Sequence, residues 1–474
     1  MKRVTKEYDI AIIGAGSAGL TAAAFAVQIG ARVVLADKQR TGGDCTWSGC
    51  VPSKTLLKTA KVAQEIRSAS RYGLEASKPV VDLKTVMAHV RTVVDEIAQE
   101  ESPEALQAQG IDVFLGGARF LDANTLSVGE AMLSARHILI CTGARPSIPP
   151  IAGLADIPFL TYETVWGMGA LPHRLLVVGA GPIGCEMAQA FRRLGAEVIL
   201  LASHDVLLPR DEPAASRVLG KVLAAEGIDI RYQVRAERVW QDAQGIHVVA
   251  GGAECRGDAL LLATGRQPVV EGLDLEKAGV AYSTKGIQVN KYLRTNKRHI
   301  YAAGDCTGGP QFTHYAGRQA FMAVRNALIP GVSRGIVDHV PWTTFTDPEV
   351  AHVGLGEAQA RAMYGDDVQT CNWPMAKVDR ARAEGATAGF LRLVHRKDGT
   401  LLGATIVAAH AGEMISEWIV GLERGLKVGE IGNTIHVYPT YSTASSQATA
   451  AISVQRLLSG SSGKIIRSVV HLMR

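Results

Sequence analysis

The chain has 474 residues, with 50 Lys and Arg against 45 Asp and Glu, a formal charge of +5 and 47% apolar residues. So mild a charge argues against a dedicated nucleic-acid protein and suits anionic cofactors. The length allows roughly three domains, and no run of about 18 apolar residues is present to span a bilayer.

The opening MKRVTKEYD is short and polar, unlike a secretion signal, so a soluble cytoplasmic protein is expected. Residues 8–37, YDIAIIGAGSAGLTAAAFAVQIGARVVLAD, read as a strand, a glycine turn, an Ala-rich helix and a second strand. Gly14, Gly16 and Gly19 form GxGxxG, the pattern that lets backbone approach a pyrophosphate and lets helix and strand pack closely. Asp37 ends the second strand, where a carboxylate can bond a ribose 2′-hydroxyl. This is a dinucleotide site.

Residues 42–54 read GGDCTWSGCVPSK. Of seven scattered cysteines, only Cys45 and Cys50 lie close together, which is no secreted disulfide framework. In an undistorted helix, residues five apart have Cα atoms roughly 8–9 Å from each other, beyond the about 7 Å a disulfide allows. If these two pair, an irregular turn at Gly49 must separate them, with Pro52 in the first turn of a following helix. Sulfurs there sit near the positive end of a helix dipole, which favours thiolate. Two buried thiols that are mere neighbours in sequence are the alternative.

Helical periodicity follows over 52–72 and 83–109, then strand-like runs at Val113–Phe120 and His137–Ile140, the latter entering CTGARPSIPP. Residues 174–202, RLLVVGAGPIGCEMAQAFRRLGAEVILLA, then repeat the first unit at an offset of 165, with Gly14 on Gly179 and Gly19 on Gly184. Two fingerprints imply two dinucleotides. Asp37 corresponds to Ala202, followed by Ser203 and His204, with Arg192 and Arg193 on the preceding helix. Loss of the acid favours NADP over NAD, since small polar or cationic groups accommodate a 2′-phosphate; NADH use stays possible.

The turn LLATGRQP (261–268) closes the second unit, and both this turn and CTGARP are expected at crossings between domains. The strand HIYAAGDC (299–306) brings Asp305 to a turn, as a bond acceptor for a polyol chain or, by default, as a cap for the next helix. From about Asp338 the pattern becomes an antiparallel sheet with helices, an α+β unit. The end, GKIIRSVVHLMR, is basic and amphipathic; a docked or frayed helix is expected over a membrane-surface one.

Together these motifs, in this order, resemble the FAD-dependent pyridine nucleotide–disulfide oxidoreductases, which include glutathione reductase, dihydrolipoyl dehydrogenase and mercuric reductase. The resemblance implies an α/β fold: two Rossmann-like dinucleotide-binding domains, for FAD and NAD(P), plus a C-terminal α+β dimerisation domain. Residues 1–150 would form the first part of the FAD domain, 151–270 the NAD(P) domain, 271–337 the second FAD part and 338–474 the dimerisation domain. GGDCTWSGCVPSK is similar to the family's redox-active disulfide motif. It implies that Cys50 faces the flavin, forming a charge-transfer pair when reduced, and that Cys45 is the interchange sulfur. Lys54 and Glu186 match an ion pair near the reactive flavin nitrogen. For cofactor binding the resemblance assigns Gly14, Gly16, Gly19, Asp37, Gly42, Gly43, Gly143, Gly265 and Asp305 on the FAD side. Gly179, Gly181, Gly184, Ser203 and His204 fall to the nicotinamide side. No resident metal is implied.

One motif departs. Thiol-reducing members carry HPTxxE, whose His is the acid–base group supplied by the partner subunit; here the stretch is YPTYST, with Tyr438 and Thr443 at the two positions. A tyrosine of pKa about 10 is a poor shuttle near neutrality. His436, two residues earlier, is the substitute candidate and on a strand would share a face with Tyr438. The departure, and the run VILLASHDVLLPRDEP, resemble the mercuric reductase-like branch, although no cysteine follows Cys371. The expectation is a homodimeric flavoenzyme passing electrons from NADPH to a small-molecule or metal-ion acceptor. A dihydrolipoyl dehydrogenase-like enzyme and a non-catalytic redox-sensing flavoprotein are the alternatives.

Overall fold

The computed structural model describes residues 7–458 and 460–473. It divides into two compact units: one runs to Leu201 and resumes over Val234–Val337, the other comprises Ala202–Gln233 and the chain from Asp338 onward. The division by motif at 150, 270 and 337 is a different one, since Ala202–Gln233 groups with the C-terminal chain.

In the first unit a seven-stranded sheet has the order Ile111–Leu115, Val33–Asp37, Glu7–Ile13, Ala131–Ile140, Thr125–Val128, Ala118–Phe120. Ile300–Ala302 also pairs in parallel with Ala131–Ile140. The inner strands pair in parallel and are buried almost throughout, which is why they read as unbroken apolar runs. The helix Ser17–Gln28 buries Ala18, Gly19, Ala22, Ala23 and Ala26, and Thr313–Leu328 buries Ala316, Ala320 and Ala323. Small side chains on both let these helices share one core with the sheet. A second parallel set has Arg174–Val178 between Glu197–Leu201 and Ala259–Leu262. The two glycine-bearing turns pair with each other: Ala144–Pro146 runs antiparallel to Arg266–Pro268. The region Val113–Phe120 is two strands, broken at Gly116, whose φ is +151°.

The second unit is α+β, as the change of pattern implies. Its five-stranded antiparallel sheet has the order Trp342–Thr344, Glu349–Gly354, Leu401–Ala408, Phe390–Arg396, Val368–Pro374. Leu401–Ala408, at the centre, is buried along its whole length. Helices Ala411–Glu423 and Thr443–Leu458 close the core around Trp418. The basic end forms a helix, Gly460–Leu472, that touches Thr443–Leu458. Among the described residues no helix is long and apolar enough to cross a membrane.

Candidate active site

The cysteine motif folds as two helices with a break between them. Cys45 lies in the short helix Gly43–Trp47, and Cys50 is the first residue of Cys50–Arg67. Gly49, at the break, has φ −107° and ψ −108°. A Cβ there would stand 2.8 Å from the carbonyl oxygen of Asp44. The glycine is therefore needed for close approach of backbone rather than for a left-handed turn. Pro52 sits in the first turn of the long helix, where its missing N–H costs nothing.

Both cysteines are free thiols, hydrogen-bonded to each other. The Oγ1 of Thr313, first residue of its helix, lies 3.4 Å from Cys50 Sγ. The Cys45 hydrogen bond lowers the Cys50 pKa to about 6 against the opposing effect of burial, with help from Thr313 and the charge of Lys54; Glu186 opposes it. Cys45 moves the other way, because it donates to Cys50 and is itself desolvated. These opposite directions favour the negative charge on Cys50 and the proton on Cys45. Lys54 Nζ and Glu186 Oε2 are 2.9 Å apart, and Glu186 is buried.

Around the first glycine turn the backbone is too close for any side chain. Gly14 has φ +102°, and a Cβ would lie 2.3 Å from Cys141 O; one on Gly19 would lie 1.8 Å from Gly14 O, and one on Gly43 2.5 Å from Gly16 Cα. Gly42 also has a positive φ, of 105°. Asp37 Oδ2 accepts from Ala15 N at 2.8 Å and its Oδ1 from the amides of Gln39 and Arg40, so it fastens the turn. The second turn repeats the first: Gly179 has φ +109°, and a Cβ on Gly184 would lie 1.8 Å from Gly179 O. Gly181 has open space instead. Gly16 and Gly181 cap their helices with no side-chain bond among the described residues. The first amides are left for an anion such as a pyrophosphate. Residues of both turns fit a dinucleotide. Gly143 (φ +69°) and Gly265 (φ +111°) are required by their positive φ alone.

Asp305 does not cap the following helix. Its Oδ2 lies 2.7 Å from Arg266 Nη1, and Arg266 Nη2 lies 2.6 Å from Asp44 Oδ2. Tyr162 OH donates to Asp44 Oδ2 at 3.2 Å, and Trp166 Nε1 reaches Ser48 O at 3.0 Å. Burial pushes the Asp305 carboxyl up while Arg266 pulls it down. Arg266 thus joins the residue before Cys45 to the Gly-Asp turn. Reading the motifs for their glycines passed over it, although the charged residue stands inside ATGRQP. Thr313 is in no motif and reaches Cys50 only through the fold.

Two further expectations need correction. Arg192 and Arg193 lie in the last turn of the helix Pro182–Leu194, roughly 18 Å from Gly181 at its start. Arg192 Nη1 bonds Ala196 O at 3.3 Å, and Arg193 O accepts from Arg67. The Arg192 and Arg67 guanidinium groups serve the negative end of the helix, and the position of Arg192 and Arg193 at that end does not suit a 2′-phosphate at the glycine turn. His436 is on no strand and shares no face with Tyr438. Its Nε2 lies 3.0 Å from Glu417 Oε2 and its Nδ1 3.0 Å from Thr434 O, while Tyr438 OH donates to Asp379 Oδ2 at 3.0 Å. Thr443 starts a helix, its Oγ1 accepting from Thr440 N. Tyr438, His436, Ser203 and His204 belong to the C-terminal unit, where Tyr438, Ser203 and His204 are exposed.

Residues 8–320 match the family Pyridine nucleotide-disulphide oxidoreductase, and residues 340–449 match that family's dimerisation domain. The chain is 36% identical over 441 residues to a mercuric reductase of Bacillus cereus, covering 92% of this chain and 70% of that protein. It is 34% identical over 467 residues to a dihydrolipoyl dehydrogenase of Thermus scotoductus, covering 95% and 99%. Among solved structures, the Cu(II) complex of the HOCl-induced flavoprotein disulfide reductase RclA from Escherichia coli superposes with a TM-score of 0.86. Identity there is 29%, with 94% of this chain and 100% of that chain covered. The chain belongs to the pyridine nucleotide-disulphide oxidoreductase family.

Proposed function

We propose that this member of the family is a cytoplasmic, homodimeric enzyme of the mercuric reductase-like branch, which uses NADPH to reduce a thiophilic metal ion. The two cysteines on either side of the Gly49 break, with the Thr313 hydroxyl on Cys50 and the Lys54–Glu186 pair, carry this reading. FAD, held by Gly14, Gly16, Gly19, Asp37, Gly42, Gly43, Gly143, Gly265 and Asp305, would supply the chemistry of taking a hydride and returning an electron pair. NADPH would lie on Gly179, Gly181 and Gly184. Two electrons and a proton delivered to a Cys45–Cys50 disulfide break the S–S bond. Cys50 keeps the charge, stabilised by Thr313 and Lys54, and Cys45 takes the proton. Lys54 is held by Glu186, so its ammonium stays beside Cys50. In this reading residues 1–150 and 271–337 serve FAD, 151–270 the nicotinamide and 338–474 the dimer.

The acceptor class follows from the C-terminal stretch. Tyr438 stands where the family's thiol reductases place a histidine, and its hydroxyl is committed to Asp379. His436 has both ring nitrogens against acceptors. A metal ion asks for thiolates and no shuttled proton, so it suits a site without that base. The Escherichia coli relative is described in a Cu(II) complex. In this reading the ion is the substrate, since it is the acceptor of the electrons.

NADPH oxidation by the FAD-loaded enzyme should be fastest with mercuric or cupric ion, slower with quinones, and slowest with glutathione disulfide or lipoamide. Cys50→Ser should abolish metal-dependent turnover together with the long-wavelength absorbance of the reduced protein. A variant retaining both refutes the redox assignment; lipoamide as the best acceptor refutes only the metal. A dihydrolipoyl dehydrogenase-like reading is the second, favoured by the near-complete coverage of the Thermus scotoductus protein. It would show as oxidation of dihydrolipoamide to lipoamide with NAD+ reduced to NADH.

A further inference from the structure

None of the residues assigned above lines the surface cavity of about 250 Å³ in the C-terminal unit. Gln369 and Thr370 of the sheet's edge strand, His395 of the neighbouring strand, Arg361, and Gln455 and Arg456 of helix Thr443–Leu458 form its polar walls. No carboxylate lines it among the described residues. Arg361 is aimed by two contacts, Nε to Glu357 at 3.0 Å and Nη1 to Val368 O at 3.4 Å. The Arg456 guanidinium rests on Gly399, where a Cβ would lie 2.5 Å from Nη1.

The floor is unusual for a purely cationic pocket. His395 is only 2% exposed, and its Nδ1 lies 2.8 Å from the Arg396 carbonyl. A carbonyl only accepts, so Nδ1 carries the proton and Nε2 presents a lone pair. Burial holds this ring below the usual histidine range, which keeps it neutral. Nε2 makes no hydrogen bond among the described residues and yet is not a sealed buried atom. The cavity is its outlet. Two positive groups and one uncharged acceptor therefore face the same space.

We propose that this cavity binds a hydrogen-phosphate group, either free phosphate or the terminal group of a phosphomonoester. Arg361 and Arg456 take the charged oxygens, for which the planar guanidinium fork is matched. His395 Nε2 accepts from the P–OH. Sulfate, with no proton near neutrality, would set an oxygen lone pair against Nε2 and leave the buried acceptor unmatched. The site is independent of the redox reading, since it shares no catalytic or cofactor-binding residue with it.

The test is calorimetric titration of the FAD-loaded protein with inorganic phosphate, glycerol phosphate and sulfate, with no NADP+ present because its 2′-phosphate is itself a phosphomonoester; the Arg456→Gln protein tells the cavity from the nucleotide site. Saturable phosphate binding is expected, at least about tenfold tighter than sulfate, the scale of one hydrogen bond to a charged group. Arg456→Gln, at an exposed position, should weaken it about tenfold and leave NADPH oxidation unchanged; Arg361→Gln should act likewise. Tighter glycerol phosphate identifies an ester as the occupant, tighter inorganic phosphate the free ion. No saturable binding, equal affinity for sulfate, or wild-type affinity in the Arg456→Gln protein overturns the proposal.

Discussion

The two glycine turns are near copies in backbone and differ in the side chains and segments packed beyond it. Gly14 and Gly179 have φ of +102° and +109°, and their absent Cβ atoms would lie 2.3 and 2.4 Å from the carbonyls of Cys141 and Ala263. The first turn is pressed against Gly43 of the cysteine motif and tied by Asp37. In the second, Gly181 is open and the residue matching Asp37 is Ala202. The same contrast holds one turn further on: Ala144 follows Gly143, whereas Arg266 follows Gly265 and joins two carboxylates. Shared backbone makes a dinucleotide site, and the neighbours decide which dinucleotide and what chemistry.

The largest effect should separate the two turns. Gly14→Ala meets both a positive φ, worth roughly 1–3 kcal/mol, and the overlap with Cys141 O; it should yield colourless protein without FAD and without turnover. Gly179→Ala should keep the yellow colour and lose reduction by NADPH. Absorbance after gel filtration reads both, and equal loss of FAD would break the distinction.

Next is the asymmetry at Arg266. Arg266→Lys keeps the charge but not the fork that spans Asp44 and Asp305, so turnover should fall by about tenfold, from one lost charged hydrogen bond. Stopped-flow rates of disulfide reduction should fall in step. An unchanged rate would make Arg266 structural only.

The third prediction concerns pH. Cys50 is lowered to about 6, so it should be thiolate above that pH and thiol below it. The long-wavelength absorbance of the reduced enzyme should rise through a midpoint near 6. Lys54→Met removes a favourable charge and should move the midpoint up; Glu186→Gln removes an unfavourable one and should move it down. Opposite shifts would contradict the electrostatics.

Smallest is the nucleotide choice. Ser203→Ala and His204→Ala should each raise the KM for NADPH by about 2- to 10-fold, the range of one hydrogen bond, and leave NADH unchanged. Equal effects on both nucleotides would remove the 2′-phosphate reading.

Much of this was legible in residue order. The doubled fingerprint, the break at Gly49, the helices near 52–72 and 83–109 and the change of pattern at Asp338 all rest on local rules. Strand periodicity, helix period and glycine's steric freedom act over a few residues, and a linear reading can see them. The errors share a cause. Arg192 and Arg193 are next to a nucleotide motif in sequence, yet a helix of thirteen residues carries them to its far end. For Asp305 the residues alone leave capping as the default beside a polyol contact, but its carboxylate pairs with Arg266, 39 residues earlier in the chain. His436 is adjacent to Tyr438, yet an irregular segment turns the two toward Glu417 and Asp379.

The sequence by itself determined the two dinucleotide fingerprints, and the turn that must separate Cys45 and Cys50 if they pair, because glycine spacing and helix geometry are local. Only the tertiary structure decided which groups beyond the neighbouring Cys45 act on the Cys50 thiol. These are a Thr313 hydroxyl 263 residues away from Cys50 and the Lys54–Glu186 pair, and electrostatics and hydrogen bonds act through space, over a few ångströms, whatever the distance along the chain.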